Sequence, residues 1–328
     1  MNSVKQAPDY LLDEHLSPGT KAYLKVLNGG GPVESLSVEE ARRVLADVQA
    51  AVHVDLSGVE ESERTIESEG RRLRLHLVRP DGTGHERLPA FVFVHGGGWV
   101  LGDYPTHRRL VRDLVAESGC AAVFVDYTLS PEAHFPQAVE EVYAAVKWVA
   151  GNGREIGVDG SRLALAGNSA GGNMSLAAAL VAKDHGGPQL RTLVLMWPVT
   201  DAGYDWESYV EYGRQRFLTA PLMEWMFDRY VCDPAQRGSD LMSPVRASAE
   251  RLRGLPPTLI AVAENDILRD EGEAMGRRLD EAGVEVTTVR FNGVIHDWGM
   301  LNGFAGLHPT RTLVRLAGAV LHDALAKP

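Results

Sequence analysis

A serine flanked by glycines is the first group in this sequence that could act as a nucleophile. Ser169 stands in the G-x-S-x-G pattern of residues 167–171. Composition alone gives about 0.2 chance matches to such a pattern, so the pattern by itself is a weak signal. Its position between the apolar run 162–166 and the small-residue run 172–182 strengthens it, because a sharp strand-to-helix turn exposes a serine hydroxyl. We therefore predict that Ser169 is the nucleophile of an acyl-transfer reaction.

A second glycine cluster, residues 95–99 (HGGGW), also follows an apolar run. Consecutive glycines leave backbone N–H groups unobstructed, and such groups can stabilise an oxyanion. We predict that the N–H groups of Gly97, Gly98 and Ala170 form an oxyanion hole. A flexible loop is the alternative for the cluster. His95 is predicted to hold this loop and not to act as a base.

A histidine base for Ser169 is expected late in the chain. When the nucleophilic serine lies at a strand-to-helix turn, the acid and then the histidine follow it in the sequence. Only His296 follows a predicted strand through a short loop, and we predict it to be the base. The other histidines after the serine are His185, His308 and His322.

The acid that orients the histidine is predicted to be Asp266. It follows the apolar run 258–263 almost directly, so it would lie at the same sheet edge as the serine. Glu264 and Asp270 are the competing acids, and Asp270 is the better candidate for a helix cap or an ion pair.

The strands and helices that position these residues are predicted from apolar runs that alternate with helical patterns. This alternation indicates a mostly parallel sheet flanked by helices. Strands are predicted over 71–78, 90–94, 121–125, 162–166, 193–196, 258–263 and 284–291. Helices are predicted over 17–26, from Ser37 onward, and over 137–150, 172–182, 275–282 and 313–325. The candidate residues follow strand ends, where open α/β sheets bind ligands.

Two parts of the chain depart from this rhythm and are predicted to cover the site. Residues 1–55 form an N-terminal helical cap segment, in which Ser37 and Glu40 fit a capping box. Residues 56–328 form the catalytic domain, with a cap insertion at about 200–245. Four residues are candidates for lining the substrate pocket, although core packing is the alternative for each aromatic one: Trp99, Asn168, Trp206 and Phe217. Trp225 is a further candidate of the same kind.

Charge and composition exclude several classes of function. The 328-residue chain has a formal net charge of −11, which disfavours binding to nucleic acid or to anionic membranes. No apolar stretch has the length of a membrane span and no secretory signal is recognisable, so a cytoplasmic location is expected. Cys120 and Cys232 do not make a disulfide framework. No metal-binding or phosphate-binding signature is present, and we expect no metal and no cofactor.

Taken together, these motifs resemble the hormone-sensitive-lipase family of bacterial esterases. The match comprises residues 95–99, Asp126-Tyr127 with Pro131-Glu132, residues 167–172, residues 266–272 and His296, in the family's order. The resemblance covers roughly residues 70–325. It implies an α/β-hydrolase fold with a helical cap and cofactor-free hydrolysis of short-chain carboxylic esters. The substrate would be a small molecule, and the protein is expected to be a monomer or a homodimer.

The sequence departs from the family pattern at two positions. Asn168 precedes the serine where the family usually has Asp, and Ile267 follows the acid where the family usually has Pro. We expect Asn168 to keep a hydrogen bond and to tune activity without abolishing it. Ile267 is expected to change the rigidity of the loop that presents Asp266.

Other functions of the same fold stay open at this point. A receptor-like member would bind a ligand without catalysis, although it has no need for an intact set of Ser169, Asp266 and His296. An amidase or peptidase would use the same three residues with a different pocket. A lipase is less favoured because it usually displays a broad apolar surface.

Overall fold

The central sheet of the protein has eight strands in the computed structural model, which describes residues 5–326. The strands are β1 (Val59–Ser68), β2 (Arg71–Pro80), β3 (Leu88–Val94), β4 (Ala121–Asp126), β5 (Val158–Asn168), β6 (Leu193–Met196), β7 (Thr258–Asn265) and β8 (Val286–Ile295). Their spatial order is β1-β2-β4-β3-β5-β6-β7-β8. The pairs β1–β2 and β2–β4 are antiparallel, and all the other pairs are parallel.

Helices cover both faces of this sheet, as expected when central strands such as β3 and β6 are apolar along most of their length. The helices are α1 (Pro18–Leu27), α2 (Val38–Ala50), α3 (Tyr104–Ser118), α4 (Gln137–Asn152), α5 (Ala170–Asp184), α6 (Glu207–Tyr212), α7 (Ala220–Tyr230), α8 (Ala249–Leu252), α9 (Arg269–Glu281) and α10 (His308–Ala326). The predicted α/β fold with a mostly parallel sheet is confirmed.

Strand β1 and helix α3 are among the elements that were not predicted from the sequence. Strand β1 reads VEESERTIES, and Ile66 is its one buried residue. It is an edge strand paired only with β2, so almost none of its side chains needs to be apolar. Helix α3 is capped by Asp103, whose side chain accepts a hydrogen bond from the Thr106 N–H, and the helix buries Leu110 and Leu114.

Some predicted boundaries were also too short. Strand β8 continues to Ile295, beyond the predicted end at 291, and Gly293 with its φ of 77° pairs with Leu16 of the N-terminal segment. Helix α9 begins at Arg269, before the apolar pattern that marked it. The capping box at Ser37 and Glu40 is present as predicted.

The N-terminal segment is tied to the body of the protein by polar contacts. The guanidinium of Arg42 on α2 donates to the carbonyl oxygens of Val100 and Ser130 and makes two bonds with the Glu132 carboxylate. These bonds hold the pKa of Glu132 at about 2. Helix α2 is therefore fixed directly above the loop that follows β3.

The cysteines and the helix lengths can be compared with the expectations from composition. Cys120 is buried and Cys232 is exposed, and neither forms a disulfide. Within residues 5–326, no helix combines the length and the apolar character that crossing a membrane requires.

Candidate active site

The candidate nucleophile lies at the tip of a strained turn between β5 and α5. Ser169 has a φ of 53° and a ψ of −121°, a conformation that costs free energy for a residue with a side chain. Its N–H donates to the Met196 carbonyl oxygen at 2.9 Å. A Cβ on Gly171 would overlap the Val94 carbonyl oxygen, and one on Gly167 would overlap the backbone of Gly171. Both glycines of the motif are thus needed for the backbones to pass this closely.

Three side chains from different elements form a continuous hydrogen-bonded line. His296 Nε2 is 3.0 Å from Ser169 Oγ, and His296 Nδ1 is 2.7 Å from Asp266 Oδ2. Asp266 Oδ1 accepts the Leu268 N–H at 3.0 Å. All three side chains are at least 96% buried. The structure therefore brings together the serine, histidine and aspartate singled out in the sequence, in the geometry of a nucleophile, a base and an orienting acid.

The charge state of His296 follows from its surroundings. Burial alone would lower the pKa of His296, but the carboxylates of Asp266 and Asp297 outweigh burial, and the pKa is raised. Near neutral pH, the imidazolium that forms when a base takes a proton is thus stabilised at this position.

The competing residues lie elsewhere. Glu264 accepts the Gly293 N–H, and Asp270 accepts the Ser208 N–H at the start of α6. Three histidines sit in exposed positions away from the serine: His185, His308 and His322.

The glycine cluster forms a tight loop beside the serine. Gly97 and Gly98 have φ values of 108° and 59°. A Cβ on Gly97 would overlap the Leu101 carbonyl oxygen, and one on Gly98 would overlap the Met226 sulfur of α7. In the described chain, no protein acceptor bonds the N–H groups of Gly97 and Gly98. The first residue of a helix likewise lacks an intrahelical acceptor, so the Ala170 N–H adds a third donor.

The loop is supported from beneath by a buried histidine. His95 Nδ1 is 2.7 Å from the Gly96 carbonyl oxygen, and the Tyr127 hydroxyl donates to the His95 carbonyl oxygen at 3.0 Å. The rings of His95 and Tyr127 stack with centroids 4.3 Å apart. Burial lowers the pKa of His95 to about 4, so it stays neutral, as suits a residue that holds a loop.

Asn168, the first departure from the family pattern, links several parts of the site. Its Oδ1 accepts the Gly96 N–H at 3.0 Å. Its Nδ2 is 3.2 Å from Asp297 Oδ1 and 3.3 Å from His107 Nε2. The expected hydrogen bond is thus present. An aspartate at position 168 would set a second carboxylate against Asp297, so the amide suits this chain.

Ile267, the second departure, is fixed in the core. Its side chain is fully buried, and its carbonyl oxygen accepts the Ser208 hydroxyl at 2.5 Å. Helix α6 therefore holds the loop that presents Asp266.

A cavity of about 380 Å³ opens above the serine. Its floor contains Gly97, Gly98, Ser169, His296 and Asp297. We call the cavity-lining residues of segments 27–48 and 215–226 the roof. The roof contributes mostly aliphatic side chains: Leu27, Val33, Ala41, Val44, Leu45, Val48, Leu218, Leu222 and Met226, with Glu34, Gln215 and Phe217 among the others.

The predicted pocket residues are only partly placed on this cavity. Phe217 lines it, but Trp99, Asn168 and Trp206 do not. Trp99 is fully buried and stacks on Tyr230 with centroids 4.5 Å apart, because its large ring completes the core beneath α7.

Two further aromatic candidates are engaged at other sites. The Trp206 Nε1–H donates to Asp201 at 3.1 Å, and the ring of Trp225 lies under the Arg229 guanidinium. Asn168 acts from behind the glycine loop. The pocket is therefore more aliphatic than the sequence suggested.

Asp297 and Trp197 are site residues that the sequence analysis missed. The Trp197 Nε1–H donates to Asp297 Oδ1 at 2.7 Å. An acidic residue directly after the candidate histidine was the available signal, since it would share the same strand end. In residues 5–326, no group of three His, Cys, Asp or Glu side chains could hold a metal ion.

Comparisons with known proteins show the family of the chain. Residues 91–300 match a family described as having the alpha/beta hydrolase fold. The chain belongs to this family. It is 32% identical to the ethyl acetate hydrolase of Pseudomonas putida over 86% of this chain and 92% of that protein. It is 37% identical to a carboxylesterase of Mycobacterium tuberculosis over 65% and 67% of the two chains.

Solved esterase structures also match this chain over nearly its whole length. A thermostable esterase from Pseudomonas putida superimposes with a TM-score of 0.94 at 52% identity, covering 95% of this chain and 98% of that one. These relatives confirm the predicted resemblance to hormone-sensitive-lipase esterases and the prediction of a carboxylesterase.

Proposed function

We propose that this α/β hydrolase cleaves short- to medium-chain carboxylic esters through an acyl-enzyme on Ser169. The observation that carries the proposal is the line from Ser169 Oγ through His296 to Asp266, with distances of 3.0 Å and 2.7 Å, at the floor of an apolar cavity. A receptor-like protein needs the cavity but not this alignment.

In the acylation step, His296 Nε2 takes the proton of Ser169 as Oγ attacks the ester carbonyl carbon. The N–H groups of Gly97, Gly98 and Ala170 donate to the oxygen that becomes negative. These donors are fixed before substrate binds, so little reorganisation is needed in the transition state. The proton on Nε2 then passes to the leaving alcohol.

Asp266 acts through His296. By accepting the Nδ1–H, its carboxylate fixes the tautomer in which Nε2 is free to act as a base, and it stabilises the imidazolium. The Leu268 N–H holds the other carboxylate oxygen. Water then attacks the acyl-enzyme with His296 again as base, and Ser169 leaves with the proton.

The cavity supports the acyl-length part of the proposal. Small-molecule pockets span about 300–1,000 Å³, and about 380 Å³ is near the lower end. The roof would act as the cap over this space, contributed by the N-terminal helices and by the 200–245 segment. Its aliphatic side chains suit a saturated acyl chain.

The deciding experiment is hydrolysis of p-nitrophenyl acetate, butyrate, octanoate and palmitate by wild type and Ser169→Ala. Turnover of the shorter esters that is lost in the variant is the expected result. Wild-type rates in Ser169→Ala would refute the proposal.

Two further readouts separate the alternatives. A fluorophosphonate probe should label wild type and spare Ser169→Ala. Faster cleavage of p-nitroanilides than of the matching esters would favour an amidase or peptidase. A folded wild type with neither turnover nor labelling would favour a ligand-binding protein.

A further inference from the structure

Asp297 is the second acidic side chain beside the reacting atoms, and the three-residue mechanism does not use it. It directly follows His296, lines the cavity, and has a φ of 60°. Aspartate tolerates this backbone region better than most residues, yet the conformation still costs free energy. The protein thus holds a carboxylate in a strained position next to the catalytic centre.

The two oxygens of this carboxylate have different surroundings. Oδ1 accepts the Trp197 Nε1–H at 2.7 Å and the Asn168 Nδ2–H at 3.2 Å. Oδ2 accepts no hydrogen bond from any side chain or backbone group of residues 5–326, and it lies 3.9 Å from His296 Nε2. The two donors to Oδ1 therefore fix the carboxylate so that its free oxygen faces the nitrogen that moves protons.

Two acceptors 3.9 Å apart can share one small donor. A hydrogen-bonded oxygen lies about 2.8 Å from its acceptor, so one oxygen atom fits within bonding distance of both Nε2 and Oδ2. A water molecule has two hydrogens and can satisfy both acceptors at once. An alcohol has one hydroxyl hydrogen and can satisfy only one.

We infer that Asp297 orients the hydrolytic water and thereby favours water over alcohols as the acceptor of the acyl group. The inference rests on the proposed acyl-enzyme on Ser169. One water hydrogen goes to His296 Nε2 while the other stays on the oxygen and bonds Asp297 Oδ2. The water oxygen forms a bond to the acyl carbon. Ser169 Oγ then leaves with the proton from Nε2, and the carboxylic acid is released.

An alcohol is disfavoured in the same position for a physical reason. Its single hydrogen is taken by Nε2, so its carbon would lie against Oδ2 and leave this oxygen of a largely buried residue without a hydrogen-bond donor. Leaving a buried acceptor without a partner costs free energy, and the cost is larger for a charged group. In a variant without Asp297, transfer to alcohols no longer carries this penalty. Hydrolysis no longer gains from a hydrogen bond that orients the water.

A purely electrostatic role of Asp297 on His296 predicts something else. Burial raises the pKa of Asp297, while His296, Trp197 and Asn168 act to lower it. Asp297 in turn favours the charged form of His296. Because water and alcohols both use Nε2 as their base, a change in His296 basicity alters both rates together. The ratio of the two products therefore separates water orientation from tuning of His296.

The test measures this ratio with p-nitrophenyl butyrate as acyl donor and a fixed concentration of 1-propanol at pH 8. Release of p-nitrophenolate reports acylation, and gas chromatography reports propyl butyrate against butyrate. Asp297→Asn keeps the shape and the acceptor for Trp197 and Asn168 but turns an NH₂ towards the cavity. We expect its ratio of propyl ester to acid to rise about 5- to 50-fold, and that of Asp297→Ala to rise as well.

Glu34→Gln is the matched control, since Glu34 is the other carboxylate that lines the cavity and it belongs to the roof. This variant should keep the wild-type product ratio. An unchanged ratio in folded Asp297→Asn and Asp297→Ala, with continued release of p-nitrophenolate, overturns the inference alone. A folded wild type that neither hydrolyses p-nitrophenyl butyrate nor is labelled by the fluorophosphonate probe overturns the proposed function itself.

Should neither variant fold, the wild type still decides. The inference requires water to outcompete 1-propanol for the acyl group, molecule for molecule. A per-molar preference of the wild type for propanol would overturn it.

Discussion

The floor and the roof of the cavity are built in opposite ways. The floor follows the ends of parallel strands. Ser169 and His296 come directly after Asn168 of β5 and Ile295 of β8, which still pair with the neighbouring strands β6 and β7. The roof comes from two segments distant in sequence, and its position depends on side-chain contacts. The floor is suited to chemistry that tolerates no displacement, and the roof to selecting what enters.

The largest expected effect concerns the floor. His296→Ala should lower kcat by about 10⁴- to 10⁶-fold, because base and imidazolium stabilisation are both lost. The folded fraction, measured by circular dichroism, should not change greatly. His322→Ala, in an exposed position on α10, is the control and should keep full activity. Comparable losses in both variants would contradict the assignment.

The next prediction tests where roof and floor meet. Gly98→Ala should lower kcat by about 10²- to 10³-fold, since the new Cβ collides with the Met226 sulfur and displaces the loop N–H groups. Adding Met226→Ala should recover part of the loss. Gly119→Ala is the control, because Gly119 has a φ of 68° but no atom within 4 Å of a Cβ. It should lose stability without losing kcat.

The pH dependence of activity reports the electrostatics of the floor. His296 must be neutral to accept the serine proton, so activity falls as pH falls through its pKa. That pKa is raised from 6.5 by Asp266 and Asp297 against the effect of burial. We expect the acid limb of kcat/KM to lie above pH 6.5, and to move to lower pH in Asp297→Asn. A wild-type limb below that value would contradict this account.

The attachment of the roof depends on a buried ion pair. Arg216 Nη2 is 2.6 Å from Asp13 Oδ2, both side chains are almost fully buried, and Arg216 lies between the cavity-lining residues Gln215 and Phe217. Asp13→Ala should destabilise the protein by about 3–5 kcal/mol, since it leaves a buried charge uncompensated. In thermal unfolding, Glu39→Ala, which breaks an exposed pair, should change Tm very little.

Kinetics then distinguish the roof from the floor. Asp13→Ala should raise KM more than it lowers kcat, because the roof is loosened while the catalytic line stays in place. A loss confined to kcat would show that the two regions are not separable.

The smallest effect is expected from single roof side chains. Val48→Ala removes two methyl groups from the cavity wall, and each buried carbon contributes about 0.8 kcal/mol at most. We expect kcat/KM for p-nitrophenyl octanoate to fall about 3- to 10-fold, with little change for the acetate. Val26→Ala, at a position 65% exposed, should alter neither. Equal losses on both esters would contradict a role of Val48 in acyl binding.

The same contrast explains what the sequence revealed. The floor could be predicted because strand ends and glycine turns leave local signatures, as at Ser169 and in residues 95–99. Asp297 was missed because its importance comes from Trp197 and Asn168, which are far away in sequence. The position of this acid directly after His296 was the one local signal, and its contacts with distant residues cannot be read from a single sequence.

The roof was predicted in outline but not in its lining. Aromatic residues were expected to line the cavity, but the large side chain of Trp99 is fully buried in the core. Helix α2 supplies lining residues that look, in the sequence, like the apolar stripe of any amphipathic helix. Which neighbour faces that stripe is decided by tertiary contacts alone.

Helix α2 attaches the roof to the body of the protein through one residue and lines the cavity with others. Arg42 fastens the helix through four hydrogen bonds, while Ala41, Val44, Leu45 and Val48 line the cavity. Mutation can therefore vary the lining residues one at a time while the fastening is kept and the reaction centre is undisturbed. In evolution, this separation of lining residues from attachment residues allows substrate specificity to change in small steps, each of which the fold tolerates.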